Sequence, residues 1–528
     1  MGEVLGRVVE VTGTQIAASV DRENLLLPAI RIGALVKMPT ADDVAVVGVI
    51  RALRAEASAG VLATVELLGS LRTSAKDRPR YGPGISQHPV LGTPVLSPGD
   101  SDLSAVYARP SVDNIRVAAL YDDPKRPAFL AVDELLGGHF AVFGMSGSGK
   151  SCAVALILHA ILDTHPNAHI IVVDPHNEYA AAFGDLAEVI NIDNLDLPFW
   201  LFDFEEAVEI LVRGGTMREQ ESQAIILKDA MTRARRVAAE RDPAAASLTV
   251  DTPVPFRISD LIRFVDEAMG KLDNPDTAAP YLRLKTRLDS LSGDRRFAFM
   301  FSDQLLLRDI MSRVVGRLLR IPADGKPLTI LDLSGVPSEI ADVVVSLTCR
   351  ITFDFCRWSE RDKVPPVLLV CEEAHRYVPA DERIGFAATT RAITRIVKEG
   401  RKYGISLALV SQRPSDLAVT ALSQCGTIFA QRLANDVDQR FVASALSLSA
   451  REMLDVLPSM RTQEAIISGR AVSMPMRVRF DNLPPKRRPR SESPKFSEAW
   501  QKDQTGAADL EMVLRRWRQQ SRSLPPLG

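Results

Sequence analysis

The chain has few of the features that would place it in a specialised class of protein. It has five cysteines among 528 residues, scattered without a Cys-X-X-Cys pair or a spacing typical of metal ligands. This pattern favours reduced thiols in the cytosol over a disulfide framework or a zinc site. No apolar run reaches the length of about 18 residues that a membrane span needs, and the amino terminus does not resemble a signal peptide. We therefore expect a cytoplasmic protein.

A strong charge of either sign is also absent. The formal net charge is −2, from 64 basic and 66 acidic residues, so bulk charge gives no sign of nucleic-acid binding. A basic surface confined to one face or to a channel would still be compatible with this balance. Hydrophobic residues make up 46% and charged residues 25% of the chain, as in ordinary globular proteins.

Apolar patterning changes along the chain. Up to about residue 95, short β-branched runs separated by Gly and Asp predict a small β-barrel, and a Pro-, Gly- and Ser-rich stretch follows it. Beyond about residue 105, near-continuous apolar runs each end in a polar residue or glycine. Such runs predict strands buried on both faces, hence a mainly parallel sheet covered by helices in an α/β fold. The runs are HFAVFG, HIIVVDP, LTILDLSG, PVLLVCEE and ISLALVSQRP.

The sequence from about residue 205 to 315 predicts helices, and this region is too long for one crossover between strands. We interpret it as a helical insertion. The predicted domains are a barrel at 1–95, the first part of an α/β core at 96–204, the insertion at 205–320, the second part of the core at 321–483, and a basic tail or brace at 484–528.

A phosphate-binding motif follows the first buried run. The sequence G-x-x-x-x-G-K-[ST] occurs here as Gly144, four intervening residues, Gly149, Lys150 and Ser151. A predicted strand precedes it and a predicted helix follows it. Gly147 and Gly149 allow backbone N–H groups to turn inward as an anion nest at a helix N-terminus. Lys150 would reach the β- and γ-phosphates of ATP, and the Ser151 hydroxyl would ligate Mg²⁺. The expected nucleotide-binding residues are Gly144, Ser146, Gly147, Ser148, Gly149, Lys150, Ser151 and Cys152, together with Asp174 from a later strand end.

Two adjacent glutamates end the strand in VLLVCEEAH. In a P-loop ATPase a second strand presents one carboxylate to the magnesium ion and another to the attacking water. Glu372 would take the magnesium position, acting through water, although aspartate is commoner there. Glu373 would orient or deprotonate the water. The alternative is that both acids begin a solvated helix.

Two further strand ends carry polar residues. Asp174 and His176 lie in DPHNEY, and Gln412 and Arg413 lie in SQRP. Because ligands of open α/β sheets bind at the carboxyl ends of the strands, we expect Lys150, Asp174, Glu373 and Gln412 to face one crevice. Gln412 would sense the γ-phosphate or hold the water. A capped turn with a satisfied histidine is the alternative for Asp174 and His176.

Basic residues form two clusters of undecided role. Those in ATTRAITRIVKEGRKYG share one helix face, which would be solvated, contact DNA, or supply an arginine to the nucleotide of a neighbouring subunit. The second cluster, near the carboxyl terminus, fits a solvated or bracing tail better than a DNA-binding patch. The first cluster is Arg391, Arg395, Lys398, Arg401 and Lys402, and the second is Lys486, Arg487, Arg488 and Arg490.

Taken together, HFAVFGMSGSGKS, DPHNEY, EEAH, EGRKYGISLALVSQRPSDL and SQCGTIFAQRL resemble the HerA branch of the HerA/FtsK ATPases. The resemblance extends over nearly the whole chain. It implies a RecA-like P-loop ATPase with a HAS-barrel-like N-terminal domain, using ATP and Mg²⁺. It also implies a homohexameric ring that translocates double-stranded DNA without regard to sequence. A partner would dock near the barrel, either the nuclease NurA in DNA end-processing or a sirtuin-type or other nuclease-like effector in antiphage defence.

By this resemblance, Arg401 or Arg413 is a candidate arginine sensor or finger. The chain departs from the family pattern in two places: Asn177 stands where glycine is expected, and Gly138 where many relatives carry arginine. The rotational symmetry of a ring multiplies a few pore charges, which reconciles a net charge of −2 with DNA binding.

Two other functions compete with a DNA translocase. One is a conjugation or secretion ATPase. The other is an assembly scaffold, in which bound ATP only stabilises a complex with an effector. The presence of Lys150, Ser151 and Glu373 together argues against an inactive site, because a scaffold has no need to retain the glutamate.

Overall fold

The computed structural model divides into two compact units. The first unit comprises Met1–Thr164 and Val410–Asn482, and the second comprises His165–Leu409 and Leu483–Gly528. The structure describes residues 3–519 except for 25–29, 42, 57–59, 74–78, 240–247, 271–276, 303–304, 306–308, 337, 361–362, 364, 382, 447, 491–495 and 502–506.

The N-terminal part of the first unit is a closed barrel, as predicted. Six strands follow one another in the order β2-β1-β7-β3-β4-β5, and pairing of β2 with β5 closes the sheet, while β6 extends it beyond β5. Side chains such as Val36, Val46 and Val65 fill the interior. A Cβ at Gly48 would lie 2.6 Å from Val65 Cγ1, so glycine is required where β4 and β5 approach. The strands are β1 (Val4–Val11), β2 (Gln15–Val20), β3 (Leu35–Ala41), β4 (Val44–Glu56), β5 (Gly60–Arg72), β6 (Arg80–Pro83) and β7 (Pro94–Leu96).

The chain then enters the α/β part of the first unit. All five side chains of the strand His139–Phe143, which contains the predicted strand 140–143, are buried, and the helix after it buries an apolar face. The elements are α1 (Asp100–Val106), β8 (Asn114–Leu120), β9 (Pro127–Ala131), α2 (Val132–Leu136), β10 (His139–Phe143) and α3 (Lys150–Thr164).

The second unit contains a five-stranded parallel sheet in the order β12-β13-β11-β14-β15. Four of these strands coincide with predicted continuous apolar runs. The fifth, β12, has only four residues, two of them half-buried, and therefore carries too weak a pattern to be predicted. The strands are β11 (His169–Asp174), β12 (Ala187–Ile190), β13 (Leu328–Asp332), β14 (Val367–Cys371) and β15 (Ile405–Ser411), whose last two residues belong to the first unit.

The predicted insertion is helical. Its first helix begins with a capping box, in which Asp203 accepts a hydrogen bond from the backbone N–H of Glu206 and Glu206 accepts one from that of Asp203. The helices of this unit before the tail are α4 (Ala180–Phe183), α5 (Phe204–Leu211), α6 (Met217–Ala239), α7 (Ile258–Met269), α8 (Ala279–Gly293), α9 (Ala298–Phe301), α10 (Met311–Leu319), α11 (Ser338–Trp358) and α12 (Ala387–Glu399).

After β15 the chain completes the sheet of the first unit, in the order β10-β16-β17-β18-β8-β9. Only β10 and β16 are parallel, and the other pairs are antiparallel. These antiparallel strands were not identified individually in the sequence, because several, such as Met476–Phe480, alternate buried with exposed positions. The elements are α13 (Val419–Leu422), β16 (Cys425–Ala430), α14 (Asp436–Ser444), α15 (Leu448–Met453), β17 (Glu464–Gly469) and β18 (Met476–Phe480).

The basic tail returns to the second unit. The backbone N–H of Arg490 donates to the carbonyl of Glu178 at 2.9 Å, so this segment braces the turn after β11. Among the described residues, no helix combines the length and the apolar character needed to cross a lipid bilayer. The tail helices are α16 (Phe496–Ala499) and α17 (Ala507–Gln519).

Candidate active site

The predicted phosphate-binding turn joins β10 to α3 in the first unit. Gly147 and Gly149 have φ angles of 76° and 100°, a conformation that glycine adopts at little cost. A Cβ at Gly144 would lie 2.5 Å from Ser148 Oγ, so this position also requires glycine. The backbone therefore has the form that an anion nest at a helix N-terminus needs.

Lys150 begins α3 and is largely buried, and its Nζ donates to the carbonyl of Met145 at 3.3 Å. The ammonium group is thus folded back over the turn. Ser148 is fully buried, and its hydroxyl donates to Gln431 Oε1 at 2.8 Å. Its side chain supports the turn, whereas Ser146 is exposed and Ser151 and Cys152 are half-buried.

Three residues for which no role was predicted make polar contacts with the phosphate-binding turn. Gln431, directly after β16, accepts the Ser148 hydrogen bond. The backbone N–H of Gln463 donates to the Ser148 carbonyl at 3.1 Å, and the Thr462 hydroxyl lies 3.5 Å from the Gly147 carbonyl. A polar residue at the end of an apolar run was a signal for Gln431. No comparable signal marks Thr462 or Gln463.

The end of β15 lies beside the turn within the first unit. Gly144 N–H donates to the Ser411 carbonyl at 3.4 Å, which places Gln412 next to the residue that contacts the first motif glycine. Gln412 is half-buried. Arg413 is exposed, and its Nη1 lies 3.7 Å from Asp416 Oδ2 in a surface ion pair.

The paired glutamates lie in the second unit, directly after β14. Glu372 is only 4% exposed, and its Oε1 accepts a hydrogen bond from the Tyr179 hydroxyl at 3.0 Å. The Glu373 side chain is 12% exposed, and its backbone has φ 53° and ψ 44°, an uncommon conformation for a residue other than glycine. This burial does not fit the alternative of a solvated helix start.

Two histidines flank Glu373. His375 Nδ1 lies 3.4 Å from Oε2, and His176 Nε2 lies 3.9 Å from Oε1. His375 belongs to the same turn as the glutamate. His176 comes from the segment after β11, so residues of two neighbouring strand ends meet at this carboxylate.

Asp174 is fully buried and organises the turn after β11. Its Oδ1 accepts the backbone N–H groups of His176 and Glu178 at 3.3 and 3.1 Å, and its Oδ2 accepts that of Tyr179 at 2.9 Å. Burial raises the pKa of Asp174, and the three N–H donors oppose this shift. The geometry favours the capped turn that was the alternative reading for this residue.

Burial raises the pKa of the Tyr179 hydroxyl well above its ordinary value, and the nearby Glu372 carboxylate adds to the shift. A phenol with a raised pKa remains protonated at neutral pH and can donate its hydrogen bond. The same turn therefore delivers one group to each glutamate, Tyr179 to Glu372 and His176 to Glu373.

Arg401 lies elsewhere in the second unit. It is exposed in the short helix Gly400–Tyr403, before β15 begins, whereas Glu373 follows the end of β14. Since β14 and β15 are parallel, Arg401 and Glu373 lie at opposite edges of this sheet. The structure does not bring them together within one chain.

Two members of the basic face of α12 are engaged by nearby side chains. Arg391 Nε lies 2.9 Å from Glu205 Oε2, and Arg395 stacks over Phe353, with its guanidinium carbon 4.2 Å from the ring centroid. These contacts favour the ion-paired, solvated interpretation for that part of the face. Lys398, Arg401 and Lys402 are exposed.

The residues expected to hold magnesium are oxygen donors. Ser151 supplies a hydroxyl and Glu372 a carboxylate, and Mg²⁺ prefers oxygen ligands, usually completing its shell with water and phosphate. In the described ranges, no three His, Cys, Asp or Glu side chains gather closely enough to hold a metal ion by themselves. Each of these two side chains therefore supplies a donor of the type that suits a magnesium ion arriving with a nucleotide.

A glycine-rich turn opening a helix, and parallel strands that end in buried carboxylates, define the class of P-loop ATPases. Residues 115–352 match the family model described as the central domain of helicase HerA. This match supports the HerA-type ATPase that the motifs predicted.

Known proteins resemble much of the chain. It is 25% identical over 460 residues to the DNA double-strand break repair helicase HerA of Pyrococcus furiosus, covering 80% of this chain and 78% of that protein. The corresponding helicase of Saccharolobus solfataricus is 24% identical over 402 residues, covering 74% and 73%. The structure of VirB4 of Thermoanaerobacter pseudethanolicus superposes with a TM-score of 0.51 at 15% identity, covering 72% of this chain and 98% of VirB4. This last likeness concerns the fold alone.

Proposed function

We propose that the chain hydrolyses ATP to translocate along, or unwind, double-stranded DNA as a homohexameric ring. The phosphate-binding turn with its buried Lys150 is the observation that carries the proposal, since it equips the chain for nucleotide binding. The DNA part rests on relatives named as DNA double-strand break repair helicases, which the chain matches over most of their length.

The side chains take distinct roles in this proposal. Lys150 binds the β- and γ-phosphates, and Ser151 and Glu372 hold Mg²⁺, Glu372 through a water molecule. The ion neutralises charge on the phosphates when it is bound. Glu373 orients the attacking water, and its strained backbone supports this role, because such conformations concentrate at functional sites. Gln412 senses the γ-phosphate.

An arginine completes the site from a neighbouring subunit. Arg401 is the better candidate, because it is exposed at the sheet edge away from its own Glu373. Arg413 is the second candidate, and its surface ion pair with Asp416 is weak enough to exchange.

A partner nuclease, or a sirtuin-type or other nuclease-like effector, binds near the barrel, in DNA end-processing or antiphage defence. The barrel surface offers exposed apolar side chains that suit a protein partner. Val90 and Leu91 are exposed, and the hydrogen bond from Gly92 N–H to the Val8 carbonyl, 2.8 Å long, brings their loop beside the exposed Val9.

The first test is the ATPase rate of the full chain against increasing linear double-stranded DNA at low and at moderate salt. We expect stimulation that fades with salt and is independent of sequence, because binding to phosphates releases counterions. Turnover unaffected by DNA, both alone and with the co-purifying partner, would contradict a DNA motor and favour a scaffold or a conjugation-type ATPase.

Two variants test the assigned chemistry in the same assay. Glu373→Gln should bind ATP normally yet hydrolyse it on the order of 100-fold more slowly, because the amide cannot deprotonate water. Lys150→Ala should lose nucleotide binding itself. Near-normal turnover by Glu373→Gln would remove that residue from catalysis.

A further inference from the structure

We propose that the turn Asp174–Tyr179 positions the catalytic carboxylates. Tyr179 sets the orientation of Glu372, and His176 sets that of Glu373. This inference rests on the proposed function, because it concerns how the same glutamates are held for ATP hydrolysis.

The turn and the glutamates are joined first through the backbone. Strands β11 and β14 are parallel neighbours, with Val173 paired to Cys371. The backbone N–H of Glu372 donates to the Val173 carbonyl at 3.2 Å, which extends this pairing beyond the last strand residue. The segments that follow the two strands therefore begin side by side.

Asp174 then fixes the turn itself. Its carboxylate binds three backbone N–H groups, including those of His176 and Tyr179, at 3.3 and 2.9 Å. Asn177, between these two, has a φ of 54°, a conformation in which the chain reverses direction. Both side chains consequently start from backbone positions that are held by one buried carboxylate.

Tyr179 has the stronger contact. Its ring is fully buried, and its hydroxyl donates to Glu372 Oε1 at 3.0 Å. A glutamate has one more rotatable bond than the aspartate that is commoner at this position, and that freedom must be restricted if the carboxylate is to hold a defined position. A phenol fixed by burial restricts the carboxylate through one oxygen.

His176 makes the looser contact. Its side chain is 51% exposed, and its Nε2 lies 3.9 Å from Glu373 Oε1. This distance is longer than a hydrogen bond. The contact therefore limits how far the carboxylate can turn away from its position next to His375, which lies 3.4 Å from the other oxygen.

Tyr179→Phe tests the first contact, with Tyr377→Phe as the matched control. Tyr377 is a buried tyrosine in the turn after the glutamates, and its hydroxyl has no hydrogen-bond partner in the described part of the chain. We expect Tyr179→Phe to lower the kcat of DNA-stimulated hydrolysis by about 10- to 100-fold, as for loss of a hydrogen bond to a charged group. The KM for ATP and the affinity for a non-hydrolysable analogue should stay within about twofold, since only the carboxylate is misplaced. Tyr377→Phe should keep the wild-type kcat.

His176→Ala and His176→Gln test the second contact at a half-exposed position where substitution does not threaten folding. We expect His176→Ala to lower kcat by about 3- to 10-fold with KM unchanged, and His176→Gln to recover most of it, because its amide can approach the same oxygen. Equal losses in both variants would contradict a positioning role for the imidazole.

The inference is overturned if Tyr179→Phe hydrolyses ATP at the wild-type rate, or if Tyr377→Phe loses as much. Thermal unfolding of both phenylalanine variants shows whether a lower kcat comes from a misplaced carboxylate or from misfolding. Should Tyr179→Phe not fold, His176→Ala and His176→Gln provide the test. Glu373→Gln in the same assay separates the two levels of proposal. If it still hydrolyses ATP, the proposed function fails; if it is inactive while Tyr179→Phe and His176→Ala are fully active, only this inference fails.

Discussion

At the scale of single residues, Asn177 shows that a residue other than glycine adopts a left-handed conformation in the turn after β11. Glycine was expected at this position, and the structure gives Asn177 a φ of 54°. Glycine is the residue that adopts this region most easily, and asparagine is among the few others that tolerate it. The backbone of this turn is therefore one that glycine would also adopt easily.

The same turn supports a prediction on stability. Asp174→Asn should lower the melting temperature, because an amide oxygen cannot replace two carboxylate oxygens that together accept three backbone N–H groups. The cost of leaving a buried donor unmatched is about 1–3 kcal/mol. The control is Asp332→Asn at the end of β13. Among the described residues its Oδ1 accepts the Ser334 N–H, and the amide oxygen of asparagine can still accept that bond. Thermal unfolding of both variants checks this, and equal shifts would contradict it.

At the scale of elements, α12 depends on an acid from another helix. Both oxygens of Glu209, in α5, accept backbone N–H groups at the start of α12, those of Ala387 and Ala388, the latter at 2.7 Å. A carboxylate at a helix N-terminus binds free N–H groups and complements the helix dipole. This contact ties the insertion to the helix that carries the basic face.

Glu209→Gln should therefore destabilise α12 by about 1 kcal/mol, through loss of the charge and of one acceptor. Glu205→Gln is the matched control on the same helix, because the contact that Glu205 makes in the described part of the chain is an exposed ion pair with Arg391, and such pairs contribute little. Amide hydrogen exchange in α12 measures the difference. Faster exchange in both variants alike would show that the cap is unimportant.

At the scale of the whole molecule, the proposed ring makes the arginine assignment testable by mixing subunits. Light scattering with ATP and DNA should give a mass about six times that of the 57.7 kDa chain. If Arg401 acts on a neighbour's nucleotide, mixing inactive Arg401→Ala with inactive Glu373→Gln should restore part of the activity. Some interfaces then combine an intact Glu373 from one subunit with an intact Arg401 from the next.

The control mixture is Glu373→Gln with Lys150→Ala, which should remain inactive because both residues serve the site of their own subunit. An inactive Arg401→Ala mixture would exclude Arg401 as an arginine acting between subunits and leave Arg413 to be tested in the same way. A monomer under these conditions would contradict the ring.

Much of the architecture is readable from local pattern alone. Continuous apolar runs identify strands such as Val367–Cys371, because a strand covered on both faces has no position for a polar side chain. The phosphate-binding turn is equally local, since a few glycines between a strand and a helix specify its backbone. The HerA family resemblance follows from the same short segments, and the match of residues 115–352 agrees with it.

Contacts between distant positions required the folded chain. Tyr179 and Glu372 are 193 positions apart, and Ser148 and Gln431 are 283 apart, so no spacing in the sequence connects them. The hydrogen bonds to Asp174 favour a structural role for a residue that its position at a strand end had led us to expect at the nucleotide. A motif specifies which groups the chemistry requires. The hydrogen-bond partners of those groups depend on which strands and helices pack beside them, and this is decided by the tertiary structure.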